Sequence, residues 1–141
     1  MNKSDNSHTR VVFLFDVDNR LLDDDAVAAD LQRRLATGVG AEGAQEYWRI
    51  FEQLRTELGY ADYLGALQRY RTQHPRAPRL VCVSDFLTNY PFAERLFPEV
   101  LKVVQHVQQW GPAVILSDGD VVFQPLKISR SGLADAVSVA C

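Results

Sequence analysis

The stretch VVFLFDVDNRLLDDD, residues 11–25, is the part of the sequence from which we predict the fold. Residues 11–15 form a short, uninterrupted apolar run that is rich in β-branched and aromatic side chains. Because this run lacks apolar–polar alternation, it predicts a strand that is covered on both faces, as in a parallel sheet. Two carboxylates, Asp16 and Asp18, follow the strand directly. A buried strand that ends in two carboxylates raises the question of what they bind.

A long helical stretch follows the strand. Residues 23–25 are aspartates, which suit a helix N-terminus, and apolar residues at helical spacing lead to Gly38 as a stop. Residues 47–58 and 60–70 predict two further helices with aromatic faces, which we expect to be packing faces, and two prolines in 74–79 end the pattern. Residues 80–97 leave a helix and an extended segment open as alternatives.

The C-terminal part of the sequence predicts alternating helices and strands. Pro98 begins a helix that Gly111 ends, and residues 113–117 form a second buried strand. A turn at 118–120, a short helix from Pro125 to Gly132 and the start of a third strand at 135–141 follow. With right-handed crossovers, this order predicts an open parallel α/β sheet. The helical stretch after the first strand is too long for a connection and is therefore expected to be an inserted subdomain.

Composition excludes several classes of protein. The chain has 141 residues, of which 47% are hydrophobic, and this composition is typical of a globular domain. Its net charge of −3 argues against a nucleic-acid-binding surface and against a polybasic membrane anchor. The polar N-terminus does not resemble a signal peptide, and no apolar run is long enough for a membrane helix. Two scattered cysteines argue against a disulfide framework or a zinc site, so we expect a cytoplasmic, reduced setting.

The carboxylates after the first strand have three interpretations. A turn or helix cap is the simplest, since aspartate is common in both. A calcium loop is excluded, because Arg20 and Leu21 stand where such a loop needs a small polar residue and a glycine, and Val27 replaces the bidentate glutamate. A ligand site is the third, because ligands of open α/β sheets bind beyond the carboxyl ends of the strands, where Asp16 and Asp18 lie.

The chemistry that suits this site is covalent phosphoryl transfer. One aspartate can attack phosphorus, and the other can protonate the leaving oxygen and later deprotonate water. Because two carboxylates and a phosphate repel one another, a divalent metal is needed, and Mg²⁺ prefers such oxygen ligands. Ser117, at the end of the second strand, can hold phosphoryl oxygens.

Two segments carry a resemblance to a known family. FLFDVDNRLLDDD, residues 13–25, resembles motif I of the haloacid dehalogenase (HAD) superfamily, and residues 96–120 resemble the return from the C1-type cap of that family with its motif II serine. The resemblance implies a three-layer Rossmann-like parallel sheet, here incomplete, with core segments 1–20 and 95–141 and an all-helical cap at 21–94. It implies Asp16 as nucleophile, Asp18 as acid/base, Ser117 as phosphate-binding hydroxyl, and Mg²⁺ held by Asp16 and the Asp18 backbone carbonyl.

Three positions depart from the family pattern. Arg20 stands where the family has threonine or valine, and it either pairs with Asp16 or Asp18 or points into solvent. Lys127 precedes the third strand, on the helix after Ser117, and is predicted to be a solvated surface charge rather than the family's motif III lysine. The motif IV acids, expected after a fourth strand, are absent from the sequence.

These departures lead us to expect a C-terminally truncated member whose first strand forms an exposed edge that can self-associate. Two functions follow from the sequence. The first is a HAD-like hydrolase of the phosphatase type that acts on a small phosphorylated metabolite through an aspartyl-phosphate. The second is a non-catalytic remnant or interaction module.

Overall fold

The computed structural model describes residues 11–140 and contains a three-stranded parallel sheet. Its strands are β1 (Phe13–Phe15), β2 (Ala113–Ile115) and β3 (Val139–Ala140), in the order β1-β2-β3. Leu14 lies opposite Val114, which in turn lies opposite Val139. The predicted Rossmann-like core with an incomplete parallel sheet is therefore confirmed.

Four helices and a 3₁₀ turn connect β1 to β2. They are α1 (Asp24–Leu58), α2 (Tyr63–Gln73), α3 (Leu80–Thr88), the 3₁₀ turn Phe92–Arg95 and α4 (Val100–Val107). The segment that the sequence left open is thus mostly helical. No helix within residues 11–140 combines the length and the apolar character needed to cross a membrane.

Helix α1 joins two helices that the sequence predicts as separate. Its N-terminus is capped by Asp23, whose side chain accepts a hydrogen bond from the Ala26 N–H. The predicted stop at Gly38 is wrong; instead the backbone leaves helical geometry at Gly40, with φ 80° and ψ 173°. Such a positive φ is strained for a residue with a side chain, so Gly40 permits the kink. The helix ends at Gly59 in the left-handed conformation.

Two short helices follow β2. Helix α5 spans Phe123–Arg130 and α6 spans Leu133–Ala136. Helix α5 begins two residues before the predicted start at Pro125, because the Asp120 side chain accepts hydrogen bonds from the Val122 and Phe123 N–H groups. Two residues of α5, Gln124 and Lys127, contact Asp18 in the loop after β1.

The sheet is buried on one face and exposed on the other. Ala113 and Ile115 are fully buried, whereas Leu14 is 64% exposed and Leu116 is 60% exposed. The expectation that β1 is covered on both faces is therefore wrong for the residues described. Within residues 11–140 no strand pairs with the second edge of β1, which agrees with the expected exposed edge.

An aromatic cluster joins the helices of the insertion to helix α5. The Phe123 ring meets the rings of Tyr63 and Phe92 edge-on, with centroids 5.7 Å apart in both pairs, and Phe51 stacks on Tyr63 at 4.9 Å. Tyr47 is fully buried beside this cluster. These contacts pack α1, α2 and the 3₁₀ turn against α5.

Candidate active site

A cavity of about 430 Å³ lies at the carboxyl ends of β1 and β2. It brings together the three site residues that the sequence predicts, since Asp16, Asp18 and Ser117 all line it. The remaining lining residues come from the loop after β2 and from the turn between α1 and α2: Leu116, Asp118, Gly59, Tyr60 and Ala61. The cavity thus lies between the carboxyl ends of β1 and β2 and the turn that joins α1 to α2.

A tight turn connects β1 to α1 and positions both aspartates. The carbonyl of fully buried Val17 accepts hydrogen bonds from the N–H groups of residues 20–22. Asn19 adopts a left-handed conformation (φ 53°), which asparagine tolerates. Its side-chain oxygen accepts from the N–H groups of Asp24 and Asp25. Asn19 therefore ties the loop that carries Asp16 and Asp18 to the start of α1, a role that the sequence analysis did not predict.

The Asp16 carboxylate is exposed to the cavity. One of its oxygens accepts a hydrogen bond from the Val17 N–H at 2.8 Å, and within residues 11–140 it forms no ion pair. Arg20 is exposed and pairs with neither Asp16 nor Asp18 in the described part of the chain. Of the two alternatives for Arg20, the structure supports the one in which it points into solvent. Asp16 is thus left free to meet a substrate or a cation.

The Asp18 carboxylate is held by a lysine. The Lys127 ammonium lies 2.8 Å from an Asp18 oxygen and 2.9 Å from an Asp24 oxygen. Lys127 is only 1% exposed. The prediction that Lys127 is a solvated surface charge is therefore wrong: Lys127 is buried against the loop that carries Asp18, where two carboxylates compensate its burial.

Gln124 joins Asp18 to Ser117. Its side-chain amide nitrogen lies 2.7 Å from the Ser117 hydroxyl oxygen and 3.2 and 3.3 Å from the two Asp18 oxygens. Gln124 is 7% exposed and stands three residues before Lys127, so both side chains leave α5 on the same side. The sequence analysis missed Gln124, and the only available signal was this helical spacing relative to a lysine.

Two carboxylates share one ammonium in this network. Burial raises the pKa of the Asp24 carboxyl; the Lys127 ammonium lowers it in part, and the nearby Asp18 carboxylate raises it again. Burial also raises the pKa of Tyr63, and the charges of Asp24 and Asp18 add to that effect. The Tyr63 phenol beside the network therefore stays neutral at physiological pH.

The aromatic residues of the insertion divide into core and cavity residues. Tyr47 and Tyr63 are buried in the aromatic cluster, as expected for packing. Tyr60, which the sequence placed on a helical stripe, instead lies in the turn before α2 and lines the cavity. The turn exists because α1 ends at Gly59 and α2 starts only after Asp62, whose side chain caps it.

The oxygen ligands for a metal ion are few but suitable. Within residues 11–140 there is no cluster of three or more His, Cys, Asp or Glu side chains that could hold an ion. The Asp16 carboxylate is nevertheless exposed, and the Asp18 carbonyl accepts no backbone hydrogen bond from the described loop residues. Mg²⁺ is commonly held by one or two carboxylates, with waters and substrate phosphate completing the shell. These two groups fit part of such a shell.

Comparison with known proteins gives structural matches only. No protein-family model and no curated protein matches the chain. The crystal structure of a haloacid dehalogenase-like hydrolase from Burkholderia xenovorans LB400 is 58% identical, with a TM-score of 0.86. The match covers 92% of this chain and 60% of the Burkholderia chain. The chain therefore spans less than two thirds of the length of that relative.

More distant structures share the fold. The HAD-hydrolase YfnB from Bacillus subtilis, solved with bound magnesium, is 18% identical with a TM-score of 0.56, and the match covers 93% of this chain and 62% of YfnB. The L-2-haloacid dehalogenase from Xanthobacter autotrophicus, solved with chloropropionic acid covalently bound, is 18% identical with a TM-score of 0.55, covering 93% of this chain and 56% of the dehalogenase. At this identity the likeness concerns the fold alone.

Proposed function

Because this chain belongs to the haloacid dehalogenase-like hydrolase superfamily, we propose that it is a hydrolase of the phosphatase type that acts on a small phosphorylated metabolite. The observation that carries this proposal is the pairing of an exposed Asp16 with a firmly held Asp18 in one cavity that also contains Ser117. A cavity of about 430 Å³ suits a small substrate.

The proposed reaction has two steps. An Asp16 oxygen attacks phosphorus, the bond from phosphorus to the leaving oxygen breaks, and protonated Asp18 gives its proton to that oxygen. In the second step Asp18 takes a proton from water, the water oxygen attacks the aspartyl-phosphate, and inorganic phosphate leaves while the Asp16 carboxylate is restored. The Ser117 hydroxyl donates to a phosphoryl oxygen in both steps.

We propose Mg²⁺ as the cofactor, with the Asp16 carboxylate and the Asp18 carbonyl as its ligands from these residues. When bound, it would offset the repulsion between the Asp16 carboxylate and the phosphoryl group. Tyr60 and Ala61 also line the cavity. We expect them to exclude water and to contact the part of the substrate that is not phosphate.

The second carboxylate favours phosphate chemistry over dehalogenation. A halide leaves carbon as an anion and needs no proton, whereas an alkoxide leaving group does. Asp18 is held by a lysine and a glutamine in the cavity that contains Asp16, so a carboxyl group is in place to supply that proton.

The test is metal-dependent phosphate release from a broad panel of phosphoesters. We expect activity with Mg²⁺ and a loss of about 10³-fold or more in Asp16→Asn. Asp135→Asn, which changes an exposed aspartate on α6, is the matched control and should behave as wild type. A wild-type protein that releases phosphate from none of the panel, or an Asp16→Asn variant of undiminished activity, refutes the proposal.

A non-catalytic interaction module is the second candidate. The specific observation in its favour is the free edge of β1 beside the exposed side chains of Val12 and Leu14. Backbone N–H and C=O groups on such an edge can pair with a strand of a second copy. If this edge mediates self-association, Leu14→Lys should shift the protein toward the monomer in sedimentation velocity.

A further inference from the structure

We propose that Gln124 and Lys127 are positioning residues of the active site: together they fix the Asp18 carboxylate, and Gln124 directs the hydroxyl proton of Ser117 toward the substrate. The inference rests on the proposed hydrolytic function and deepens it. Both residues lie on α5 and contact residues of the site. Neither of them lines the cavity at Asp16.

The hydrogen-bond directions follow from the amide of Gln124. The amide nitrogen carries two protons, and it lies within hydrogen-bond distance of both Asp18 and Ser117. The reversed amide would place its carbonyl oxygen against the Asp18 carboxylate, where two acceptors repel. One amide proton therefore goes to Asp18 and the other to Ser117. Ser117 then accepts, and its own proton stays available for a phosphoryl oxygen in the cavity.

Lys127 is fixed from two sides. Its ammonium contacts Asp18 in the catalytic loop and Asp24 at the first residue of α1, and it lies 5.7 Å from the centre of the Phe123 ring. With its side chain almost fully buried, the ammonium has no solvent-exposed position to adopt. Asp18 thus receives charged and neutral donors whose positions are set before the substrate arrives, which is the condition for efficient electrostatic catalysis.

The loop after β2 accommodates Gln124 through Gly119. A side-chain carbon added at Gly119 would lie 2.9 Å from Cβ and 3.0 Å from Cγ of Gln124. The glycine therefore lets the Gln124 side chain lie directly against the loop that carries Ser117. Only a residue without a side chain permits this approach at the observed position.

The test separates catalysis from phosphate binding. Gln124→Glu keeps the shape of the side chain but replaces the amide donor with a negatively charged acceptor, and Gln105→Glu, which makes the same charge change on the exposed face of α4, is its matched control. We expect Gln124→Glu to bind inorganic phosphate roughly 3- to 10-fold more weakly by calorimetry and to lower kcat about 10- to 100-fold. Lys127→Met, which leaves Ser117 untouched, should lower kcat by a similar factor while phosphate affinity stays at the wild-type value.

The outcomes distinguish this inference from the proposed function. Gln124→Glu with wild-type phosphate affinity and kcat, or Lys127→Met with wild-type kcat, overturns the positioning roles. If Lys127→Met does not fold, the double variant with Asp24→Asn removes the second carboxylate and carries the same test. A wild-type protein that binds phosphate but hydrolyses no phosphoester refutes the proposed function alone, because phosphate affinity still decides the role of Gln124. A wild-type protein that binds no phosphate overturns both.

Discussion

Replacing Lys127 with methionine removes the ammonium that Asp18 and Asp24 share, and we expect this change to destabilise the fold strongly. Methionine has a similar length and fills the same space, so the main loss is charge and not packing. The side chain of Asp24 is 11% exposed and that of Asp18 is 31% exposed. Without Lys127, Asp24 becomes a buried carboxylate without a cation, while Asp18 can partly regain water.

The magnitude follows from these exposures. Removing one partner of a buried ion pair costs about 3–5 kcal/mol. Because Asp18 recovers some hydration, we expect the lower end, about 3 kcal/mol of unfolding free energy. For a domain of this size that corresponds to a fall in Tm of about 10 °C. Since burial already raises the pKa of Asp24 and Lys127 opposes that rise, Asp24 should also bind a proton more readily in the variant.

Urea denaturation followed by circular dichroism measures the cost. Lys102→Met is the matched control, because the Lys102 side chain is 78% exposed and its one ion pair among residues 11–140 is with Glu99; it should change stability by less than about 1 kcal/mol. Adding Asp24→Asn to Lys127→Met should restore about 2 kcal/mol relative to additive behaviour. Equal costs for Lys127→Met and Lys102→Met would show that Lys127 is a surface charge after all.

Three further predictions concern other parts of the fold. Gly111→Ala should cost about 1–3 kcal/mol in urea denaturation, because an added Cβ would lie 1.9 Å from the Val11 carbonyl oxygen and would push β1 from β2. Asp30→Asn should lower Tm at pH 7. The hydrogen bond from Tyr90, with help from a neighbouring arginine, lowers the pKa of Asp30 below its ordinary value of 3.8. The stabilising contribution of the Asp30 carboxylate is therefore present above pH 3.8 and is lost as the pH falls through the lowered pKa. If the edge of β1 mediates self-association, as we propose, Leu14→Lys should shift sedimentation velocity profiles toward the monomer.

Each of these predictions has a control. Gly38→Ala in α1 meets its nearest neighbour at an ordinary 3.4 Å, so it should be neutral or slightly stabilising; equal losses at the two glycines would contradict the close-approach argument. For Asp30→Asn, a Tm difference that persists unchanged at pH 2 would contradict the assigned pKa direction, and Asp135→Asn should show none. Val81→Lys, at a residue on α3 that is 74% exposed, should leave association unchanged, and equal effects at Leu14 and Val81 would exclude the edge.

Local patterns in the sequence were enough to predict the framework. An apolar run followed by Asp16 and Asp18 placed the end of β1 correctly at residue 15, and a second run located β2 but placed its end at residue 117, two residues beyond Ile115. The parallel pairing of these strands followed from chain connectivity. The division into core and cap segments at residues 20 and 95 stays a prediction.

The tertiary structure alone decided which side chains hold the Asp18 carboxylate. Lys127 lies 109 positions after Asp18 and Gln124 lies 106 positions after it, so no local pattern relates them to the first strand. Whether a lysine on a short helix is solvated or buried depends on what packs against that helix, and here two carboxylates from the opposite end of the chain meet it. Tyr60 illustrates the same limit: its helical spacing suggested a packing stripe, but the exact end of α1 placed it in the cavity.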